Sequence, residues 1–346
     1  MRTPVVPDIT WQASRHHRLN QQRLDSLAAA KGPRRYPADV LATVAWCEKV
    51  KNLFNVFTAH QVEVLLARKN GRLAVDVTKK WNKYETGCHT PSKQVVYEVE
   101  ALHPGTARLI NHPLWQVLRM QPIDQDMIHE WLREFSPAVQ QICFDRKLNR
   151  VAIGKRRLRQ LERQGSLDSL ACLTALLREA LWLDDQDSTW LIAESLFRML
   201  LMTLCRCELF PIAEGMWSLY RDELFCKVRC KGLTYKLDDF DPFDYSHQLV
   251  GLMLAFEDIG VFHGIGEKEE ACEMQAIMDG TYGFVPIFLF ASPIGPTEPR
   301  TQENEKAYLE WERNKRIRDW AQQEKNQGRL KTFPPAEMFQ LRTNGA

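Results

Sequence analysis

The sequence predicts a mainly α-helical protein with at most a minor extended segment. Apolar residues recur at helical spacing over most of the chain, and most regularly after residue 166. The connections between these apolar segments are short, which is typical of antiparallel helices. A small N-terminal helical module followed by a helical bundle is therefore expected.

Two helices are predicted within the first 57 residues. Residues 10–30 form a polar and basic segment, and Pro37 to Phe57 carries apolar residues at helical spacing. Proline fits the first turn of a helix, because its missing N–H would have no partner there. The second helix is expected to supply the core beneath the elements that follow.

A short basic helix is predicted around residues 77–86. Val77, Trp81 and Tyr84 recur at positions i, i+4 and i+7 and therefore share one apolar face. Asp76 or Thr78 is suited to cap its first turn. The other flanks of the helix carry polar side chains, namely Lys79, Lys80, Asn82 and Lys83.

A turn and a second helix are predicted to follow. Gly87 stands where a left-handed residue would end the basic helix. The next helix is expected to begin at Thr90 or Ser92, with Pro91 in its first turn, and to end before Pro104. Two short helices joined in this way suit the major groove of DNA, where lysine binds guanine or phosphate and asparagine binds adenine.

The run from Trp81 to Ser92 resembles the Cro/phage-repressor type of helix-turn-helix. In that family an aromatic-Glu-x-Gly signature ends the recognition helix, and Pro-Ser follows; Tyr84–Gly87 and Pro91-Ser92 match this pattern. The resemblance covers about residues 54–102, with Thr58–Leu66 as the first helix of the pair. It implies that Lys79, Lys80, Asn82 and Lys83 face DNA and that Thr86, His89 and Ser92 touch backbone phosphate. An ordinary amphipathic surface helix is the alternative.

The charge is distributed unevenly along the chain. Residues 1–163 contain 27 Lys/Arg and 15 Asp/Glu, an excess of 12 positive charges, whereas residues 164–346 contain 19 and 29, an excess of 10 negative charges. Such asymmetry indicates a polyanionic partner for the first half. The basic N-terminal arm is either a second contact to the DNA backbone or a helix exposed to solvent.

The densest basic run spans residues 145–163. Its candidate phosphate contacts are Lys155, Arg156, Arg157 and Arg159. The alternative is a segment whose charges are simply hydrated.

Five helices are predicted between residues 166 and 278, and Leu191 to Leu204 is expected to be central because it is apolar on nearly all sides. Phe284 to Phe290, which contains Pro286, is predicted to be an edge strand or a packed loop. Residues 303–327 are predicted to form a charged helix.

Two clusters could hold a metal ion. Cys205, Cys207, Cys226 and Cys230 could bind structural zinc, although free cysteines fit their apolar neighbours better. The run from Asp238 to Asp244, with His247, could bind a divalent ion, but its spacing favours an acidic turn before a helix.

The sequence therefore predicts a duplex-DNA-binding protein, either a regulator or an accessory factor of a mobile element or defence locus. Its second half would bind a partner or a second copy. The alternatives are a metal-dependent nucleic-acid enzyme using the Asp238–Asp244 run and a non-enzymatic interaction scaffold. No cofactor or membrane association is expected, and the scattered cysteines favour a cytoplasmic location.

The predicted segments are a basic arm (1–36), a helix-turn-helix-like domain (37–144), a basic linker (145–165), a helical domain (166–300), and a charged helix and tail (301–346).

Overall fold

The computed structural model describes residues 9–30, 35–69, 79–204, 206, 209–238, 240–258, 260 and 266–340. Over these residues the protein is mainly helical, as the sequence predicts. The chain divides into two compact units. The first is drawn from Met1–Arg119 and Cys207–Met216, and the second from Met120–Arg206 and Trp217–Ala346. Residues 145–165, the predicted linker, belong to the second unit.

The first unit is built around one buried helix. This is α2, whose first residue is Pro37 and in which nearly every residue from Val40 to Cys47 is fully buried. Apolar residues on all sides bury a helix completely. The helices of this unit are α1 (Ile9–Ala29), α2 (Pro37–Leu53), α3 (Ala59–Lys69), α4 (Lys80–Glu85), α5 (Lys93–Leu102), α6 (Thr106–Ile110) and α7 (Pro113–Val117), and a 3-10 turn spans Phe210–Ile212.

The second unit is a larger set of helices with a small sheet. Its central hairpin pairs α11 with α12, and each of these helices begins with a side-chain cap: Ser166 accepts from Ser169 N at 3.2 Å and Asp185 from Ser188 N at 3.0 Å. The helices are α8 (Gln125–Glu134), α9 (Pro137–Cys143), α10 (Lys155–Gln164), α11 (Leu167–Trp182), α12 (Gln186–Thr203), α14 (Pro242–Asp258), α15 (Glu267–Met278), α16 (Val285–Leu289) and α17 (Glu305–Asn326), and α13 (Ala213–Glu223) begins in the first unit.

The central position predicted for the segment from residue 191 to 204 is confirmed. Leu196, Phe197, Leu200 and Leu201 are all fully buried within α12. The ring centroids of Phe197 and Phe240 are 5.2 Å apart. Because α12 offers apolar side chains on nearly every side, it forms the middle of the second unit's core.

The extended structure lies elsewhere than predicted. The segment from Phe284 to Phe290 is not a strand or a loop: it forms helix α16, with Pro286 in the first turn, where its lack of an N–H has no cost. Over the residues that the structure describes, three short antiparallel strands occur instead, in the order β1 (Arg229–Cys230), β2 (Leu233–Tyr235) and β3 (Ile294–Pro296). In the described part of the chain, no helix is both long and apolar enough to cross a membrane.

Candidate nucleic-acid interface

Helix α4 separates its polar side chains from its apolar ones, as predicted. Trp81 and Tyr84 are buried. The side chains that were predicted to face DNA are exposed, and so are two of the three that were predicted to touch phosphate. We call this exposed set the α4 surface; it comprises Lys79, Lys80, Asn82, Lys83, His89 and Ser92.

Aromatic packing fixes α4 against the core. The Trp81 ring stacks on Trp46 of α2 with centroids 5.4 Å apart, and Tyr84 meets Trp81 edge-to-face at 5.6 Å. Val62 and Leu66 of α3 belong to the same hydrophobic cluster. Offset and edge-to-face aromatic pairs add about 0.5–1.5 kcal/mol each beyond the area they bury. The backbone of α4 is therefore held in one position beneath its exposed lysines.

A buried charge network lies under the end of α4. Lys51 Nζ lies 2.7 Å from Glu85 Oε1 and 2.8 Å from Glu48 Oε2. Arg23 pairs with Glu48 and donates from Nε to the Glu85 carbonyl at 3.1 Å. Burial alone would lower the pKa of Lys51, but Glu48 and Glu85 outweigh it and raise that pKa, so Lys51 stays charged. Removing one member would leave a buried charge without a partner of opposite sign.

Sequence reasoning did not find this network. Glu85 is part of the family signature, and Arg23 lies in the basic arm, which is predicted to contact the DNA backbone or solvent. The arm does form the predicted helix, α1. Arg23 is nevertheless buried, and it also donates to the Pro211 carbonyl at 3.2 Å. Lys51 and Glu85 are 34 residues apart, and Arg23 and Glu48 are 25 residues apart. A local sequence pattern does not predict that such distant residues will pair.

The turn after α4 depends on Gly87. Its φ is +75°, and a Cβ at this position would lie 2.6 Å from Val40 Cγ1. Arg35 donates to the carbonyls of both Gly87 and Cys88, the second at 2.7 Å. The left-handed conformation predicted for Gly87 at the end of the helix is confirmed. The two hydrogen bonds from Arg35 hold the backbone of the turn in place at Gly87 and Cys88.

Several details of the predicted helix ends differ from the structure. Ser92 caps α5 by accepting from Val95 N at 3.4 Å, so Pro91 precedes the cap and does not lie in the first turn. Thr86 is half-buried and donates to the Asn82 carbonyl at 3.1 Å, which ties its hydroxyl to the helix. Residues 70–78, between α3 and α4, lie outside the described residues, and they include Asp76, Val77 and Thr78.

The second part of the basic run forms helix α10, and its charges have different environments. Lys155 and Arg156 are exposed. Arg157 donates from Nη1 to the Ile142 carbonyl at 2.6 Å, and Arg159 is paired with Asp279. Two of the four predicted phosphate contacts therefore bond within their own unit.

The acidic run serves as a helix cap over the residues that are described. Asp241 Oδ1 accepts from Phe243 N at 2.9 Å and from Asp244 N at 3.3 Å, in the first turn of α14. His247 Nδ1 lies 2.8 Å from the Phe243 carbonyl. Asp239 lies outside the described residues. Among those that are described, no group of three His, Cys, Asp or Glu side chains is arranged to hold a metal ion.

The structure describes only part of the four-cysteine set, for which free thiols are favoured over zinc ligands. Cys205 and Cys207 lie outside the described residues. Cys226 is exposed and its Sγ lies 2.8 Å from the Asp222 carbonyl, to which it donates. Cys230 is half-buried on β1.

The features of the first unit that bear on function are therefore the exposed cations of the α4 surface, the aromatic anchors beneath them and the buried charges that support the turn.

No protein-family model, curated protein or solved structure matches this chain.

Proposed function

We propose that the chain binds duplex DNA through the α4 surface. The observation that carries this proposal is the pairing of exposed lysines and an asparagine with a rigidly anchored helix. Lys80, Asn82 and Lys83 are exposed, whereas Trp81 and Tyr84 between and beside them are buried. A site that is to discriminate between bases needs its side chains on a backbone that does not move.

Charge supports the same proposal. Residues 1–119, the part of the basic half that belongs to the first unit, contain 18 Lys/Arg and 9 Asp/Glu, and this excess of 9 positive charges favours a polyanion. Lysine with asparagine is the combination that binds phosphate, guanine and adenine edges. The α10 arginines are not part of this proposed surface, because they belong to the second unit, where Arg157 and Arg159 already have partners. The second unit would then serve for partner binding or self-association, as in a regulator or accessory factor.

The experiment measures the affinity of the full chain for duplex DNA at a series of salt concentrations, with fluorescence anisotropy as the readout. Each phosphate contact contributes about −0.9 to the slope of log K against log salt. Lys80→Ala combined with Lys83→Ala should therefore reduce the magnitude of the slope by about 1.8. The affinity at 0.1 M salt should fall by roughly tenfold per lysine on the same relation.

The matched control is Lys306→Ala combined with Lys331→Ala. It removes the same charge from two exposed lysines of the second unit, beyond the basic half of the chain. Its affinity and slope should equal those of the unchanged protein. Equal losses in the two double variants would refute the α4 surface and leave only a general charge effect, and binding that does not depend on salt would refute DNA binding by these cations.

A further inference from the structure

The second unit contains a cleft that the proposed DNA surface does not use. Its volume is about 1010 Å³, which is enough for a small organic ligand. Four arginines line it: Arg156, Arg159 and Arg163 from α10, and Arg198 from α12. Glu194 and Asp279 are the acidic residues of the lining, so the cleft has an excess of positive charge.

These arginines are held in place by groups behind them. Arg198 donates from Nε to Glu162 Oε2 at 3.1 Å and from Nη2 to Asp279 Oδ1 at 2.8 Å. Asp279 also pairs with Arg159. Glu162 is almost fully buried, so its charge requires a partner and fixes the position of Arg198.

A buried glutamine extends the support to a third arginine. Gln275 donates from Nε2 to Glu162 Oε2 at 2.7 Å and accepts at Oε1 from Arg163 Nε at 2.9 Å. Among the described residues, neither the terminal nitrogens of Arg163 nor the Arg156 guanidinium donates to another protein group. Arg156 and Arg163 therefore keep N–H donors that can bind the oxygens of a phosphate or diphosphate.

Part of the remaining lining is apolar and includes an aromatic ring, beside the polar side chains of Gln160, Glu194, Ser292 and Asn314. Trp190 of α12 is half-buried and lines the cleft together with Leu233 and Ile287. The Trp190 ring lies 5.9 Å from Tyr235, between centroids, which holds it at the cleft wall. A half-buried tryptophan beside apolar side chains suits the face of a planar base.

We propose that this cleft binds a nucleotide, with its phosphates on the α10 arginines and its base against Trp190. A hydrocarbon ligand would leave the arginine donors of the cleft without partners, and inorganic phosphate alone would leave the apolar wall uncovered. This site does not depend on DNA binding by the α4 surface, because the two share no residue.

The test is isothermal titration calorimetry on the full chain with ATP, GTP, inorganic pyrophosphate and adenosine. At least one nucleotide should bind more tightly than either pyrophosphate or adenosine, because only the nucleotide contacts both walls. Arg163→Ala and Arg156→Ala should each weaken nucleotide binding by about tenfold, the loss expected for a charge-assisted hydrogen bond. Trp190→Leu should weaken nucleotide binding but leave pyrophosphate binding unchanged.

Two matched controls separate the cleft from general effects. Arg146→Ala removes an exposed arginine and Trp182→Leu an exposed tryptophan, and neither residue lines the cleft. Both should bind nucleotide as the unchanged protein does, and Arg156→Ala should keep its affinity for duplex DNA. The proposal is overturned if none of the four probes binds at millimolar concentration, or if pyrophosphate binds as tightly as the nucleotides. It is also overturned if the arginine variants lose affinity only for a nucleic-acid strand.

Discussion

Replacing Gly87 by alanine tests how the turn of the α4 surface is built. The backbone at Gly87 has φ +75°, a conformation that costs an L-residue about 1–2 kcal/mol. A Cβ would in addition lie 2.6 Å from Val40 Cγ1 and 3.1 Å from Val44 Cγ2. Both valines are 1% exposed, so neither can move into solvent. Overpacking of this kind costs about 1–3 kcal/mol, which brings the total to about 2–5 kcal/mol.

Gly105→Ala is the matched control. Gly105 also has a positive φ, +93°, but a Cβ there would meet nothing within 4 Å. Only the backbone term of about 1–2 kcal/mol should therefore appear. Both variants gain the same small benefit from a less flexible unfolded chain, so this benefit cancels in the comparison. The difference between the two losses isolates the contact with α2.

The assay is urea denaturation monitored by tryptophan fluorescence; two of the ten tryptophans, Trp46 and Trp81, stack on each other at α4. With an m-value of about 2 kcal/mol/M, the midpoint should fall by about 1–2.5 M for Gly87→Ala and by about 0.5–1 M for Gly105→Ala. Equal shifts of the two midpoints would refute the reasoning, because they would mean that α2 yields to the added methyl group without cost.

Three further changes have expected outcomes. Asn82→Ala should lower the preference for a cognate DNA site over random DNA by about 1–3 kcal/mol in competition binding; an equal loss for both DNAs would contradict a base contact. Asp241→Asn should change the free energy of unfolding by less than about 0.5 kcal/mol, whereas Asp241→Ala should cost about 1 kcal/mol, because asparagine can still cap α14. Bonds from Ala107 N, then Gly105 N and Thr106, lower the pKa of Glu100 below its usual 4.5. The destabilisation by Glu100→Gln should therefore be largest at neutral pH and shrink as the pH falls below about 4.5, and a loss that is constant with pH would refute this coupling.

The sequence by itself determined the helical class and the faces of many helices. Periodicity at 3.6 residues depends only on neighbouring side chains, so Trp81 and Tyr84 were predicted to be buried, and they are. Local signals also located the left-handed Gly87 and restricted the start of the next helix to Thr90 or Ser92, of which Ser92 is the cap. Pro286 misled the prediction because a proline fits an edge strand and a helix's first turn equally well, and only packing decides between them.

Only the tertiary structure decided which charges face solvent and which are buried. Arg23 and Lys51 look like surface cations in the sequence, yet they meet Glu48 and Glu85 beneath α4. Arg198 lies on the helix predicted to be central, and it becomes part of an arginine-lined cleft because Glu162 and Asp279 approach it from distant segments. Lys51 and Glu48 are one turn apart on α2, but the contacts of Arg23 with Glu48, of Lys51 with Glu85 and of Arg198 with its carboxylates join distant segments. Such contacts depend on how helices pack, and a local pattern does not encode them. The charge excess of the first half was therefore visible in the sequence, whereas the position of each cation required the fold.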